Sequence, residues 1–410
     1  MLTIGRIPRK LKGFFTPVRD QFGAPAYGHF WRLVLAFTIS HGATLERLAA
    51  VLRGSTHRTK HGEFLWKSLW DESWVVQQIV LDTLQRLDRQ DGGPCYFIID
   101  ETQTLKRAKK MAGVSKLYHH ATGKYGTGHT ILKVGLFYRG VTIPFGSWLW
   151  LTPQHAEDET QRFCTLTELA ALAIRNAVLP AFLTVRVLFD AYYLCGVVAS
   201  ACRARGWHSI GVAKTNRNLV IDGVKHRVDS FGRNLLRRRG RWYRIQGLRR
   251  SGRYQLAERV GGMKKLGTVK VVFSRRRGDR KGVALVTDDL GAPAKRVVGD
   301  YLKRWAIELL IKDEKQHLGL GDYRVRRYRA VDRFAKGEHL VDVAYACLTH
   351  LALSEPGAQG QKNKGVLRLP PLSQLKTRMR QLVWQEAVED VVRHSHEKPV
   401  LRRLEKLLAA

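Results

Sequence analysis

Two short runs that each end on an aspartate constrain this chain most: residues 95–100, CYFIID, and residues 183–190, LTVRVLFD. The first is continuously apolar, which marks a strand covered on both faces and placed inside a sheet, and the second reads as a further buried strand. One aspartate closing a strand is commonly only a cap. Two in matching places are harder to explain that way. Between them, residues 130–138 and 141–151 read as a hairpin turning at Arg139-Gly140, and residues 157–177 as an amphipathic helix. A helix to residue 205 and a short strand over 208–213 follow. The order is three strands, helix, strand, helix, strand.

That order resembles a ribonuclease H-like core, whose first and fourth strands lie side by side. The resemblance implies that Asp100 and Asp190 approach each other although 190 − 100 = 90 positions separate them.

The flanks differ in character. Residues 1–88 read as helices, in the segments GHFWRLVLAFTIS, TLERLAAVLRG, EFLWKSLW and ESWVVQQIVLDTLQRL. The second and third, joined by GSTHRTKHG, have the length and basic character of a helix-turn-helix. Residues 88–94, DRQDGGP, form a linker. Residues 101–129 read as a basic, glycine-containing loop, but without GxxxxGK[ST] it is no nucleotide-phosphate loop.

Residues 214–293 interrupt the core with strand-like pieces and dense charge, and the alternation in TVKVVFS and GVALVT gives a β-rich insertion. Trp242, Tyr243 and Tyr254 are interleaved with its basic runs, a pattern suited to a DNA backbone and an unstacked base, with a solvated β face as the plainer alternative. A helix over residues 332–354, a polar linker EPGAQGQKNKG, and helices in LSQLKTRMRQLVWQEAVEDVV and LRRLEKLLA complete the chain. The expected division is a helical N-terminal DNA-binding domain over 1–88, a catalytic α/β domain over 89–330 holding the insertion, and a helical C-terminal domain over 331–410.

Charge points to the partner. Lys and Arg number 71 against 35 Asp and Glu, a formal charge of +36, which is far more than solubility requires and fits a polyanion such as double-stranded DNA. The five cysteines form no CxxC pair, as expected of reduced thiols in a cytoplasmic protein, and Cys195, Cys202 and His208 lack zinc-site spacing. No apolar run reaches membrane-spanning length and the N-terminus has no signal-peptide core.

Residues 300–319, DYLKRWAIELLIKDEKQHLG, read as one helix in which Tyr301, Arg304, Glu308 and Lys315 share a face. Trp305, Leu309 and Lys312 take the neighbouring face. A carboxylate flanked by a phenol, a guanidinium and an ammonium suits a cation and the phosphates beside it; incidental i,i+4 surface pairs are the plainer reading. Asp100, Asp190 and Glu308 together would supply three hard oxygen ligands for two divalent cations, with Mg2+ suited to the site and Mn2+ as substitute.

With that spacing the chain resembles the bacterial insertion-sequence DDE transposases of the Tyr-x2-Arg-x3-Glu-x6-Lys branch, over roughly residues 95–320. The resemblance implies that Asp100, Asp190 and Glu308 are the metal-binding catalytic triad and that Tyr301, Arg304 and Lys315 contact phosphates near the cleaved end. Some members cut through a hairpin whose flipped base stacks on a tryptophan, and the resemblance makes Trp242 the candidate for that role. The expected function is cleavage at terminal inverted repeats and joining of 3′-hydroxyl ends to target DNA, by a homodimer pairing two ends in the nucleoid. A related endonuclease without strand transfer, or a domesticated DNA-binding protein without catalysis, are the alternatives.

Overall fold

The computed structural model describes residues 6–52, 57–87, 93–107, 110–119, 122–249, 251–335, 340–355 and 367–393. Most of the linkers expected over 88–94 and 355–365, and the last helix expected in LRRLEKLLA, lie outside these residues.

Among the described residues one sheet of twelve strands runs through the molecule, in the order β2-β3-β1-β5-β6-β12-β11-β10-β7-β8, with β4 on β3 and β9 on β10; β7 is Asn218–Ile221, β8 Val224–Arg227, β10 Gly252–Met263 and β11 Gly267–Arg276. At its centre β1 (Cys95–Leu105) pairs antiparallel with β3 (Lys124–Tyr138) and parallel with β5 (Val185–Phe189). β5 continues in parallel to β6 (His208–Val212). The CYFII run is buried on both faces as its composition requires: Phe97 and Ile99 join one core, Tyr96 and Ile98 the other. β3 turns into β4 (Val141–Trp150) through Arg139 and Gly140, both at positive φ (52° and 89°), the backbone of a two-residue turn matched to strand twist.

Several sequence expectations shift. Residues 101–129 are largely strand: β1 runs to Leu105, and β2 (Ser115–His119) pairs with the first half of β3. The helix expected over 157–177 is two, α5 (Pro153–Asp158) and α6 (Leu166–Asn176). Thr165 starts the second with a capping box, its hydroxyl accepting from Glu168 N–H while the Glu168 carboxylate accepts from Thr165 N–H, so the break is written locally.

Residues 214–293 are β-rich, but RNLLRRRG belongs to a helix, α8 (Val228–Arg239). Its Val228, Gly232 and Leu236 recur every fourth residue and are buried, and Gly232 comes close enough to Phe273 that a Cβ would stand 2.2 Å from that ring. The strands of this segment extend the same sheet through β12 (Val283–Thr287), which pairs antiparallel with β6.

The N-terminal helices α1 (Ala24–Ile39), α2 (Leu45–Val51), α3 (Arg58–Lys67) and α4 (Glu72–Leu87) pack against helices from the other end of the chain. These are α11 (Tyr328–Ala335), α12 (Leu340–Ser354) and α13 (Leu372–Arg393); the helix expected over 332–354 is helical wherever it is described, apart from residues 336–339, which lie outside the described residues. Polar ties reinforce the packing. Buried Arg333 donates to the Phe64 and Leu65 carbonyls at the end of α3, and Lys376 to the Phe37 and Ser40 carbonyls at the end of α1. No helix among the described residues is long and apolar enough to cross a membrane.

Candidate active site

The helical stretch expected over 300–319 begins earlier and is not uniform. α9 (Ala294–Tyr301) follows Pro293, a tight 3₁₀ turn spans Leu302–Arg304, α10 is Trp305–Asp313, and a wide π turn spans Glu314–Leu318. The winding errors have physical causes at both ends. Asp300 accepts hydrogen bonds from Tyr96 on β1 (2.6 Å) and from Arg186 on β5, tying the N-terminal part to the two strands that carry the aspartates. In the π turn Glu314 points into the core, where Lys133 of β3 donates to it at 3.0 Å, while the next residue, Lys315, reaches outward and donates to the Gln103 carbonyl at 2.9 Å. Between these ties α10 lies hard on the sheet: a Cβ at Gly135 would stand 3.2 Å from Leu310.

That bracing brings Glu308 over the middle of β1, where its parallel pairing with β5 ends. Arg304 donates to Asp100 Oδ2 at 2.8 Å through Nη1 and to Glu308 Oε1 through Nη2, so one guanidinium bridges two carboxylates that stand 208 positions apart (308 − 100). Asp190 enters from the adjacent strand, one residue past the Ile99↔Phe189 pair just as Asp100 is. Its Oδ1 accepts from the Tyr192 and Tyr193 backbone N–H groups at 2.8 and 3.4 Å. Asp100 Oδ1 accepts from Glu101 N–H at 3.0 Å, and Tyr193 donates to Glu101 Oε2 at 2.7 Å, which places a fourth acid at the edge of the group.

The electrostatics follow from this crowding. Burial pushes the Asp100 carboxyl up to about 7; Arg304 opposes the rise, and the negative charges of Glu101 and Asp190 add to it. Burial also pushes Tyr301 up to about 12. For Arg304, burial works against the charge, but Tyr301, Asp100 and Glu308 outweigh it and the guanidinium stays protonated. Burial lowers the Lys315 ammonium.

The other sequence-identified residues divide. Tyr301 lines a cavity of about 280 Å³ beside Arg304 and Glu308. Lys312 is exposed on the solvent side of the helix. Trp242, on β9 (Arg241–Ile245), is 43% exposed with Arg253 over its ring at 5.9 Å, and does not line that cavity. The tryptophan that does is Trp305, with the Arg249 guanidinium 4.0 Å above it, joined by Arg276 and Lys281. Adjacency to Arg304 in the sequence was the available signal for Trp305; Arg249, Arg276 and Lys281 belong to the basic runs of residues 214–293, but they reach the cavity only because β10 to β12 continue the sheet.

Among the described residues no three or more His, Cys, Asp or Glu side chains are gathered so as to hold a metal ion. The reason is in the geometry: Asp100 and Glu308 close on the Arg304 guanidinium rather than on each other. The donor chemistry nonetheless fits a hard cation. All three acids offer oxygen, and a positive charge already stands where Asp100 and Glu308 converge.

A half-buried carboxylate pair on two strands, with a helical glutamate and basic groups beside it, is chemically suited to phosphodiester cleavage. The comparison with known families gives the same class: the family model of the DDE superfamily endonucleases matches residues 34–255, more than half of the chain, and the chain belongs to that family. Members are typically divalent-metal dependent and act on DNA. No curated protein matches the chain.

Proposed function

We propose that this endonuclease is a cut-and-paste transposase, with Asp100, Asp190 and Glu308 as its catalytic acids on a ribonuclease H-like core. The observation that carries the reading is the single guanidinium shared by Asp100 and Glu308, with Asp190 at the matching place on the neighbouring parallel strand. The order β4-β3-β1-β5-β6, antiparallel on one side of β1 and parallel on the other, supports the core assignment.

Two Mg2+ ions, or Mn2+ in their place, would activate a water or 3′-hydroxyl and stabilise the leaving oxygen. Asp100, Asp190 and Glu308 are the side chains that would hold them. Arg304 gives up its carboxylates in that state and is then free to grip a phosphate as a planar fork. Tyr301 and Lys315 flank it, Lys315 lying along β1 three residues beyond Asp100. Lys312 extends the basic surface, and Trp242 remains the exposed aromatic to test in a hairpin step.

In this reading residues 1–88 bind terminal inverted repeats, 89–330 cleave and join with 214–293 as the insertion, and 331–410 help pair two ends in a homodimer. An apolar stripe on α13 supports the pairing role: Trp384, Val388 and Val392 recur every fourth residue and are 47%, 42% and 67% exposed.

The experiment is metal-dependent processing of a labelled inverted-repeat end. Asp100→Ala, Asp190→Ala and Glu308→Ala should each abolish cleavage while end binding survives, and the wild-type protein should transfer the label to a second duplex. Cleavage retained in any of the three overturns the site; cleavage without transfer reduces the protein to an endonuclease.

A further inference from the structure

We infer that the hairpin of β2 and β3 is a second duplex-DNA contact, reading phosphates about eight base pairs from the scissile bond; this rests on the catalytic role proposed for Asp100. The hairpin is the outer edge of the sheet and projects past the active site. Its register pairs Lys116 with Thr127 and Tyr118 with Tyr125, so these four side chains share one face. Asp100 pairs with Lys133 on the same β3 strand, and Lys133 and Tyr125 are eight residues apart. An even separation puts both on one side of the sheet, so the Lys-Tyr-Tyr group lies on the face of the catalytic acids.

Three observations give the face its partner. Tyr125 is 72% and Tyr118 42% exposed, an unusual outlay of aromatic surface for a strand edge. Their rings meet edge to face at 5.2 Å, and the Lys116 ammonium stands 5.2 Å from the Tyr125 centroid, so the group is held together rather than splayed. The surrounding sequence carries no opposing charge: residues 102–156 contain neither Asp nor Glu. Arg107, Lys110, Lys116 and Lys124 are all exposed. This stretch of chain itself sets no like charge against a polyanion; the exposed Asp322 stands near Lys106, at the base of the hairpin.

The projection is preorganised. At its tip the Thr122 and Gly123 N–H groups both donate to the His119 carbonyl, at 3.1 and 2.9 Å, with Gly123 at φ 64°. Eight residues of strand at about 3.4 Å each place Tyr125 roughly 27 Å from the level of Asp100, which is about eight base pairs of B-form DNA.

The test is binding of a duplex end over a range of salt, combined with phosphate-ethylation interference. Lys116→Ala should lower the salt slope by about one and erase interference centred about eight base pairs from the cleavage site. Tyr125→Ser should weaken binding at the same position, and Tyr125→Phe should not. Lys124→Ala removes the same charge from the same hairpin but on the opposite sheet face, and should leave that interference in place. Equal effects of Lys116→Ala and Lys124→Ala, or no change in slope and interference with Lys116→Ala in a protein whose melting is unaltered, would overturn the hairpin contact while leaving the catalytic reading intact. Failure to bind duplex at all would take the parent reading down with it.

Discussion

Lys133 offers the sharpest quantitative test of how the active-site helix is held. Its side chain is wholly buried, donates to Asp342 on α12 and to Glu314 in the π turn at 2.5 and 3.0 Å, and has no access to water. Asp342 also accepts from Ser147 at 3.2 Å. One ammonium facing two carboxyls leaves an excess negative charge in the core. Burial raises Glu314 well above the usual carboxylate range, with Lys133 opposing the rise and Asp342 adding to it.

Replacing Lys133 by Met removes the one cation that Asp342 and Glu314 share and leaves buried carboxyls without it, which for a buried pair costs about 3–5 kcal/mol. Glu314→Gln keeps a polar group of the same size beside Lys133 while removing a carboxyl whose ionisation burial opposes, and should cost less than about 1 kcal/mol. The linkage has a definite sign. A carboxyl whose folded pKa is raised stabilises the fold fully below its unfolded value, and loses that contribution as pH rises through the folded value. The wild-type protein should therefore lose ground to Glu314→Gln as pH is raised above the unfolded carboxylate value of about 4.3. Urea melts of the two variants and wild type at several pH values measure all of this. A Lys133→Met cost under about 1 kcal/mol, or a Glu314→Gln cost equal to it, would refute the reading of Lys133 as the buried cation that holds this group. Because Glu314 follows Glu308 by six residues on the same helix, Lys133→Met should also depress cleavage beyond its effect on folding.

Three further outcomes are expected. Arg304→Ala, which removes the cation standing between Asp100 and Glu308, should raise divalent-metal affinity of the DNA-free protein by about tenfold in calorimetry, as loss of a charged hydrogen bond worth about 1.5 kcal/mol or more implies, and yet lower single-turnover cleavage; Arg304→Lys should recover little of that rate. Since the Asp100 proton must leave before the carboxylate can serve as a ligand, Mn2+ affinity should fall as pH drops below about 7 and level off above it, and a profile flat from pH 5 to about 8 would contradict the burial of that group. Lys376→Met should loosen α13 and the π turn together, because its ammonium reaches the Phe37, Ser40 and His317 carbonyls, and hydrogen exchange of residues 314–318 should speed up with it.

Much of this protein follows from its sequence taken alone, and the reason is that local chemistry is written locally. An uninterrupted apolar run such as CYFII is a buried strand in almost any context, a Gly at position 140 permits a two-residue turn, and the three- and four-residue spacing of Tyr301, Arg304 and Glu308 groups them on any helix. What tertiary structure alone decides are the partnerships over long separations. Nothing around Lys133 in the sequence announces Glu314 or Asp342, and nothing around Arg304 announces that its guanidinium reaches Asp100. The π turn belongs to this class, since the widened winding answers a lysine on a different strand. So does the continuation of the sheet from β6 into β12, which turns a segment that reads as an interruption into one wall of the cavity beside Glu308. Spacing fixes which side chains share a face, but only the packed sheet fixes what that face meets.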